Sequence, residues 1–446
     1  MNELLSEIEI AVKAVAGFVW GPPMIILLFG THIYLSIQLG FIQIRTLPLA
    51  IKMIFQKSDA DGDISPFSSL MTALAATVGM GNIVGVATAI VLGGPGAVFW
   101  MWLTGFLGMA TKYSEALLAV KYRQKGESGM QGGPMYYLTH GLGKRWLGCF
   151  FAIFTVFATF GAGNMVQANA TATIFNSTFG IPNAWTGIVL AFFTALVIIG
   201  GVKSVGRFAS FFVPVMIIVY LVTMLTVLGI NIEKIPVAFT LIITDAFSGT
   251  AATGGFIGAS LAAAIRFGVA RGLFSNEAGL GSAAIAAASA KTKDPVNQAL
   301  VSMTGTFIDT IIVCTMTALV ILTSDVWMAE GINAASLTSM SVESTLGYGG
   351  AIVIAVATGF FAFSTLIGWG FYGEKALEFL LGTKAVIYYR LVTVALVFVG
   401  SIMSLGLVWN FSDIMFAMMA IPNLIGLIFL TKAIKSETNR FFLEGH

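Results

Sequence analysis

Apolar residues collect in eleven long stretches, near 15–42, 67–92, 95–120, 146–178, 184–201, 207–229, 239–265, 295–322, 349–373, 389–409 and 412–431. Crossing about 30 Å of hydrocarbon takes about 20 helical residues, and each stretch reaches or approaches that length. The pattern predicts eleven transmembrane helices joined by short loops, an all-α polytopic membrane protein. The first stretch follows Glu3, Glu7, Glu9 and Lys13 rather than a basic segment, and no small-residue cleavage site closes it. It is expected to be an uncleaved span and not a signal peptide.

Composition agrees. Of the 446 residues, 57% are hydrophobic and 10% charged, against about 25% charged in soluble domains. No soluble fold covers that much apolar surface with so few charges. A net charge of +2 leaves no basic face or tail for nucleic acid. Cys149 and Cys314 lie inside apolar runs and read as packed thiols, and three histidines exclude a histidine-rich metal site. With eleven spans the loops alternate sides, and 21 of the 23 basic residues then fall on one side, leaving Lys13 and Lys234 on the other. The positive-inside rule places the N-terminus outside and the C-terminus in the cytoplasm, in the plasma membrane. On this count Arg266, Arg271, Lys291 and Lys293 belong to a cytoplasmic insert running from Arg266 to Asp294, with short helices at the membrane surface.

Two spans carry glycine clusters at mid-depth: Ala75-Ala76-Thr77-Val78-Gly79-Met80-Gly81-Asn82 in the second and Thr250-Ala251-Ala252-Thr253-Gly254-Gly255-Phe256 in the seventh. Close helix packing also uses small residues, but Asn and Thr accompany these glycines and need polar partners. The two interrupted spans are five apart, so two sets of five helices cross the membrane in opposite senses. That is the pattern of an inverted-repeat secondary transporter with its site at the midplane. Residues 1–64 then hold an extra N-terminal span and a loop, 65–238 the first repeat, 239–433 the second and 434–446 a cytoplasmic tail. Half-helix N-termini suit an anionic group and unwound carbonyls suit cations, so one centre can hold a zwitterion beside a metal ion.

The run Gly93-Gly94-Pro95-Gly96-Ala97-Val98-Phe99-Trp100-Met101-Trp102-Leu103 resembles the signature of the sodium:alanine/glycine symporter family, and Phe274-Ser275-Asn276-Glu277-Ala278-Gly279-Leu280-Gly281-Ser282 resembles a second family run. The resemblance implies the leucine-transporter-type fold, a 5+5 inverted repeat plus one extra helix, here the N-terminal one. Val78-Gly79-Met80-Gly81-Asn82 is similar to the first broken helix of that fold. By this resemblance the amides near Gly79, Met80 and Gly81 take the substrate carboxylate, and the Thr77 carbonyl with the Asn82 side chain coordinates the adjacent Na+. A second Na+ falls to the carbonyls of Ala75 and Val78 with the hydroxyls of Ser364 and Thr365. In the seventh span, Thr250, Thr253, Gly255 and Phe256 would supply polar, carbonyl and aromatic contacts; the alternative break, around Ser275-Asn276, would leave Arg266 and Arg271 away from the cytoplasmic end.

Other polar residues interrupt the spans. Asn164 and Gln167 in the fourth each need a partner, and contact with the solute or with a neighbouring helix would satisfy either. Asp309 lies deep in the eighth span, where an ionisable group is a functional candidate, joining the first ion site or pairing with another helix. Lys112 and Glu115 sit near a span end and read as interface anchors. Neutral oxygen ligands and the lack of a carboxylate in either predicted break favour Na+ over H+. The expected function is Na+-coupled symport of alanine or glycine by a monomer embedded in the lipid bilayer, with no cofactor. A proton-coupled carrier of the same fold is the alternative; a channel or a membrane enzyme fits less well, the latter for want of a nucleophile–base pair.

Overall fold

The computed structural model describes residues 2–56, 60–198, 201–248, 261–329 and 331–444. Among these, six helices are long and apolar enough to cross a membrane, and eight if each of two bent pairs counts as one span. Helices α1 (Asn2–Val19) and α2 (Pro22–Gln38) form one bent pair, turned by 43° where Pro22 and Pro23 follow Gly21. Helices α3 (Pro66–Thr77) and α4 (Gly81–Gly93) form the other, bent by 52°. α5 (Ala97–Lys121) leads to a two-stranded hairpin, β1 (Gln124–Gly126) and β2 (Gly129–Gln131), then to α6 (Arg145–Phe179), α7 (Asn183–Ile198) and α8 (Gly201–Ile230).

The second half runs through α9 (Ile235–Ser248), α10 (Leu261–Asn276), α11 (Ser282–Ala288) and α12 (Pro295–Thr323). It ends with α13 (Ala334–Leu346), α14 (Tyr348–Leu381), α15 (Val386–Ile402), α16 (Leu405–Phe429) and α17 (Thr431–Leu443). Helix starts follow local rules. Ser65 accepts from the Ser68 amide with Pro66 in the first turn, and Asp294 accepts from the Val296 amide ahead of α12.

The helices sort into an inner and an outer layer. Buried residues make up 67% of the most apolar window in α12 and in α14, but 33% in α8 and 28% in α15. On α8 the exposed Phe211, Val215, Ile218, Val219, Val222 and Leu225 recur every three to four residues, opposite buried Val213, Met216, Tyr220 and Met224. That exposed apolar stripe suits lipid, because the backbone polar groups are spent inside the helix.

The segment after the seventh apolar stretch departs from the sequence expectation. The Thr250–Phe256 cluster lies outside the described residues. Residues 268–290, expected as a surface insert, are buried throughout. α10 enters the bundle beside α4 and α5, stops at Asn276, and α11 resumes at Ser282. In the gap Glu277, Gly279 and Gly281 take φ of 58°, 99° and 78°; glycine tolerates this region, whereas Glu277 is strained by roughly 1 kcal/mol. Arg271 is therefore a buried residue within α10 and not a loop charge.

Candidate solute and ion site

The first break forms where the sequence places it. α3 ends with the Val78 amide donating to the Leu74 carbonyl (2.8 Å), so the carbonyls of Ala75, Ala76 and Thr77 have no helical partner. Val78 is extended (ψ 92°), and the chain re-enters helix at Gly81 through a wide turn over Gly81–Gly85. Asn82 stabilises the turn, its Oδ1 accepting from the Gly79 amide at 2.9 Å. Wide turns also occur at Gly161–Met165 in α6 and at Phe307–Cys314 in α12, the latter packed against this break; such turns free backbone groups and gather at functional sites.

The two breaks meet. A Cβ on Gly81 would lie 2.8 Å from Ser275 Cα, at the end of α10, and 3.3 Å from the Phe274 ring. Between them stands Asp309, fully buried on α12. Its Oδ1 accepts from Asn82 Nδ2 (2.8 Å), and its Oδ2 accepts from Ser275 Oγ (2.7 Å) and Thr310 Oγ1 (2.8 Å). One carboxylate thus bridges both breaks, held by neutral donors and without a directly bonded cation among the described residues. That donor set, buried and carrying a net negative charge, fits an alkali cation. Among the described residues, no three His, Cys, Asp or Glu groups cluster as a transition metal requires.

α14 closes the opposite wall. A side chain on Gly79 would strike Thr365 Oγ1, and one on Gly368 would lie 2.8 Å from the Ala76 amide. Thr365 Oγ1 is buried beside Gly79 without a hydrogen-bond partner among the described residues, whereas Ser364 Oγ donates to its own helix at Phe361 O (2.9 Å). Gln167 reaches the break, its Oε1 accepting from the Met80 amide at 3.3 Å. Asn164 does not: its Nδ2 donates to Thr393 O (2.6 Å), tying α6 to α15. Ala75, Thr77 and Val78 are buried at the end of α3. Thr250, Thr253, Gly255 and Phe256 lie outside the described residues.

Several residues of the site are absent from the sequence reading. Glu115, expected at the interface, is fully buried, and its Oε1 accepts from the Gly279 amide (2.9 Å), the Gly281 amide (3.0 Å) and Asn423 Nδ2 (2.7 Å). It fixes the second break. Lys112, also expected at the interface, is buried with no hydrogen-bond partner for its Nζ among the described residues, within electrostatic reach of Glu115, Glu277 and Asp309. Glu277 places a carboxylate in the α10–α11 interruption, bonded to Ser282, whereas the predicted break over Thr250–Phe256, outside the described residues, contains none. The sequence signals for this region were the Phe274–Ser282 run and the alternative break around Ser275-Asn276.

Aromatic rings bound the remaining space. Phe274 stacks on Trp409 (centroids 4.5 Å apart) and lies 5.2 Å from Phe416, which in turn stacks on Trp369 at 5.3 Å. Beyond Phe274 and Trp409 lies a cavity of about 510 Å³ between α1, α4, α10 and α16. The other end of the bundle is tied shut. Arg123 donates to the carbonyls of Ala288 (3.1 Å), Ala290 (2.6 Å), Thr292 (3.2 Å) and Asp61 (2.9 Å). Burial works against its charge, with Asp61 and Asp63 offsetting part of that effect.

The sodium:alanine symporter family model matches residues 5–444. The chain is 52% identical over 442 residues to the sodium/alanine symporter AgcS of Methanococcus maripaludis, covering 96% of each chain. It is 37% identical over 437 residues to the probable sodium/glutamine symporter GlnT of Bacillus subtilis, covering 97% of this chain and 90% of that one. In fold it is similar to a manganese transporter from Eremococcus coleocola, with a TM-score of 0.54 at 16% identity over 83% of this chain and 82% of the other. The chain belongs to the sodium:alanine symporter family, and it is a multi-pass membrane transporter of amino acids coupled to sodium.

Proposed function

We propose that the protein carries alanine and glycine into the cell with Na+ by alternating access. Its eleven spans would form one extra N-terminal helix and two five-helix repeats of opposite sense. The observation that carries this reading is the abutment of Gly81 on Ser275 with Asp309 spanning both breaks. The substrate carboxylate lies against the amides of Gly79, Met80 and Gly81, with Gln167 alongside. One Na+ binds Asp309, Asn82 and the Thr77 carbonyl; a second binds the carbonyls of Ala75 and Val78 with Thr365 and Ser364. Ser275 takes the part first given to Thr250 and Thr253, and Phe274, Phe416 and Trp369 enclose the side chain in place of Phe256. These bulky rings favour a small substrate, by exclusion of volume rather than by polar discrimination.

The end bearing Arg123, Lys291, Lys384 and Arg440 faces the cytoplasm under the positive-inside rule, with Lys13, Lys234, Arg266 and Arg271 at or toward the outer end. The Arg123 ties then close the inner path, and the 510 Å³ cavity is an outer vestibule. The test is uptake of labelled alanine and glycine into proteoliposomes under separately imposed Na+, K+ and pH gradients. Asn82→Ala and Thr365→Ala are each expected to raise the Na+ concentration for half-maximal uptake by about tenfold, roughly 1.4 kcal/mol of lost binding. Uptake driven by pH alone, or unchanged Na+ dependence in both variants, would refute the assignment.

A further inference from the structure

At the end of the molecule that the Arg123 ties close, an open cleft of about 510 Å³ lies between the start of α3 and the start of α8. Lys203, Arg207, Ser210 and Phe211 wall it on α8. Their spacing of three to four residues puts all four on one face of the helix. Lys203 and Arg207 are exposed, and neither bonds to or pairs with a described residue, whereas Lys121 and Arg440 at this end pair with carboxylates. Asp63 also borders the cleft, but its Oδ2 accepts from the Met130 amide (2.7 Å) and its charge faces Arg123. On the α3 side, Ser65 Oγ accepts from the Ser68 amide (3.1 Å), which leaves its hydroxyl proton to donate. Ser68 Oγ donates to Gly206 O at 3.0 Å and holds the two helices together.

We propose that this cleft binds the phosphate headgroup of an anionic phospholipid, with the acyl chains lying along α8. The cations and the exposed apolar stripe are one continuous face. Phe211, 73% exposed, follows Arg207 by one turn, and Val215, Ile218, Val222 and Leu225 carry the stripe onward. From Phe211 to Leu225 the helix rises about 21 Å, more than one leaflet of a hydrocarbon core about 30 Å thick. Lys203 and Arg207 therefore stand at headgroup depth, where a basic pocket between spans recruits acidic lipid. A soluble phosphate would use the cations and Ser65 but nothing of the stripe; a phospholipid uses both. Its phosphate oxygens would bridge the α8 cations to Ser65, and so brace α3, the helix that ends in the first break, against α8.

The test is native mass spectrometry of the full chain in a non-ionic detergent, titrated with dioleoyl phosphatidylglycerol. Neither Na+ nor an amino acid is present, so the outcome does not depend on the transport reading. One phosphatidylglycerol should bind more tightly than the rest, and phosphatidylcholine with the same chains should show no such tight site. Lys203→Gln and Arg207→Gln should each weaken that site by about fivefold and the double variant by about thirtyfold, the scale for one and two cations near a lipid headgroup. Phe211→Ser should weaken it by about threefold through lost apolar contact. Lys144→Gln/Arg145→Gln, which removes two other exposed cations, should leave it unchanged. Undiminished binding in the Lys203/Arg207 double variant, or an equal loss in the Lys144/Arg145 control, overturns the proposal. Equally tight phosphatidylcholine does the same. Displacement by inorganic phosphate together with indifference to Phe211→Ser also overturns it, and assigns the cleft to a soluble anion.

Discussion

Replacing Glu115 separates a structural clamp from an interface anchor. Its Oε1 accepts from two backbone amides of the second break, those of Gly279 and Gly281, and from Asn423 Nδ2. In Glu115→Ala the Asn423 amide keeps a bond to Gly279 O at 2.8 Å, but both backbone N–H groups lose their acceptor in a region with no exposed residue. At about 1–3 kcal/mol per orphaned donor, the pair costs about 2–6 kcal/mol. The buried Lys112 also loses a nearby opposite charge, which pushes the total toward the upper half of that range. Glu115→Gln keeps an acceptor oxygen and is expected to cost less than half as much. Because membrane proteins often unfold irreversibly, the readout is the half-life of solubilised protein at fixed temperature. A loss of about 3 kcal/mol shortens it by up to about a hundredfold, since 1.4 kcal/mol is a factor of ten. A half-life within threefold of wild type for Glu115→Ala, with unchanged Na+-driven uptake, would show that Glu115 does not hold the break.

Three other substitutions test neighbouring parts of the structure. Gly81→Ala brings a Cβ to 2.8 Å from Ser275 Cα, backbone against backbone, so uptake should fall by at least about a hundredfold, as for a displacement near 1 Å at a reacting centre; near-normal uptake would show that the breaks need not touch. Phe416→Leu thins the ring stack beside Phe274 and Trp369 and should let valine compete with alanine about tenfold better, the scale of one or two methylenes in an apolar pocket. In α17, Glu437 is held below the usual carboxylate range by its hydrogen bond to Lys121, with Arg440 adding to the effect. Its contribution is therefore complete above the unfolded value of about 4.3 and is lost only as pH falls through the lower folded value. Hydrogen exchange of α17, corrected for intrinsic rates, should stay flat from pH 8 to 5, and Glu437→Gln should show the acid-like exchange already at pH 7.

The first break was legible because everything that makes it is local. Two glycines and an asparagine within four residues cannot continue an apolar helix without exposing amides, and Asn82 supplies the cap from within the same segment. The interruption between α10 and α11 entered only as the alternative break because its logic is spatial. Arg266 and Arg271 look like the edge of a loop, yet Arg271 is neutralised by Asp413, 142 residues away. The small residues of Ser282–Ala288 carry too little hydrophobicity to announce a span, and they are buried by packing against α3 and α5. Lys112 and Glu115 were misread for a related reason. Position near the end of an apolar run suggests depth in the bilayer, but residues 107–120 of α5 are all buried, so no route to the interface exists for either side chain.

Under the proposed site assignment these buried charges would give sodium coupling a physical basis. Glu115, Glu277 and Asp309 share the neighbourhood of the two breaks with one cation, Lys112. Glu115 is satisfied by three donors and Glu277 is bonded by Ser282, and Lys112 offsets one charge. Asp309 has neutral donors only and is the carboxylate that touches both breaks, through Asn82 and Ser275. A neutral zwitterion cannot compensate it, because its own ammonium and carboxylate cancel. In the proposed site a monovalent cation would, and in doing so it would set a positive charge beside the amides of Met80 and Gly81, where a substrate carboxylate would then be favoured. Coupling of this kind is reciprocal, so bound substrate must raise cation affinity by the same factor. The same step predicts which variant uncouples: Asp309→Asn keeps the bridge between the breaks through its amide but removes the charge. Alanine binding should then persist with its Na+ dependence reduced, and full Na+ dependence in Asp309→Asn would show that the charge resides elsewhere.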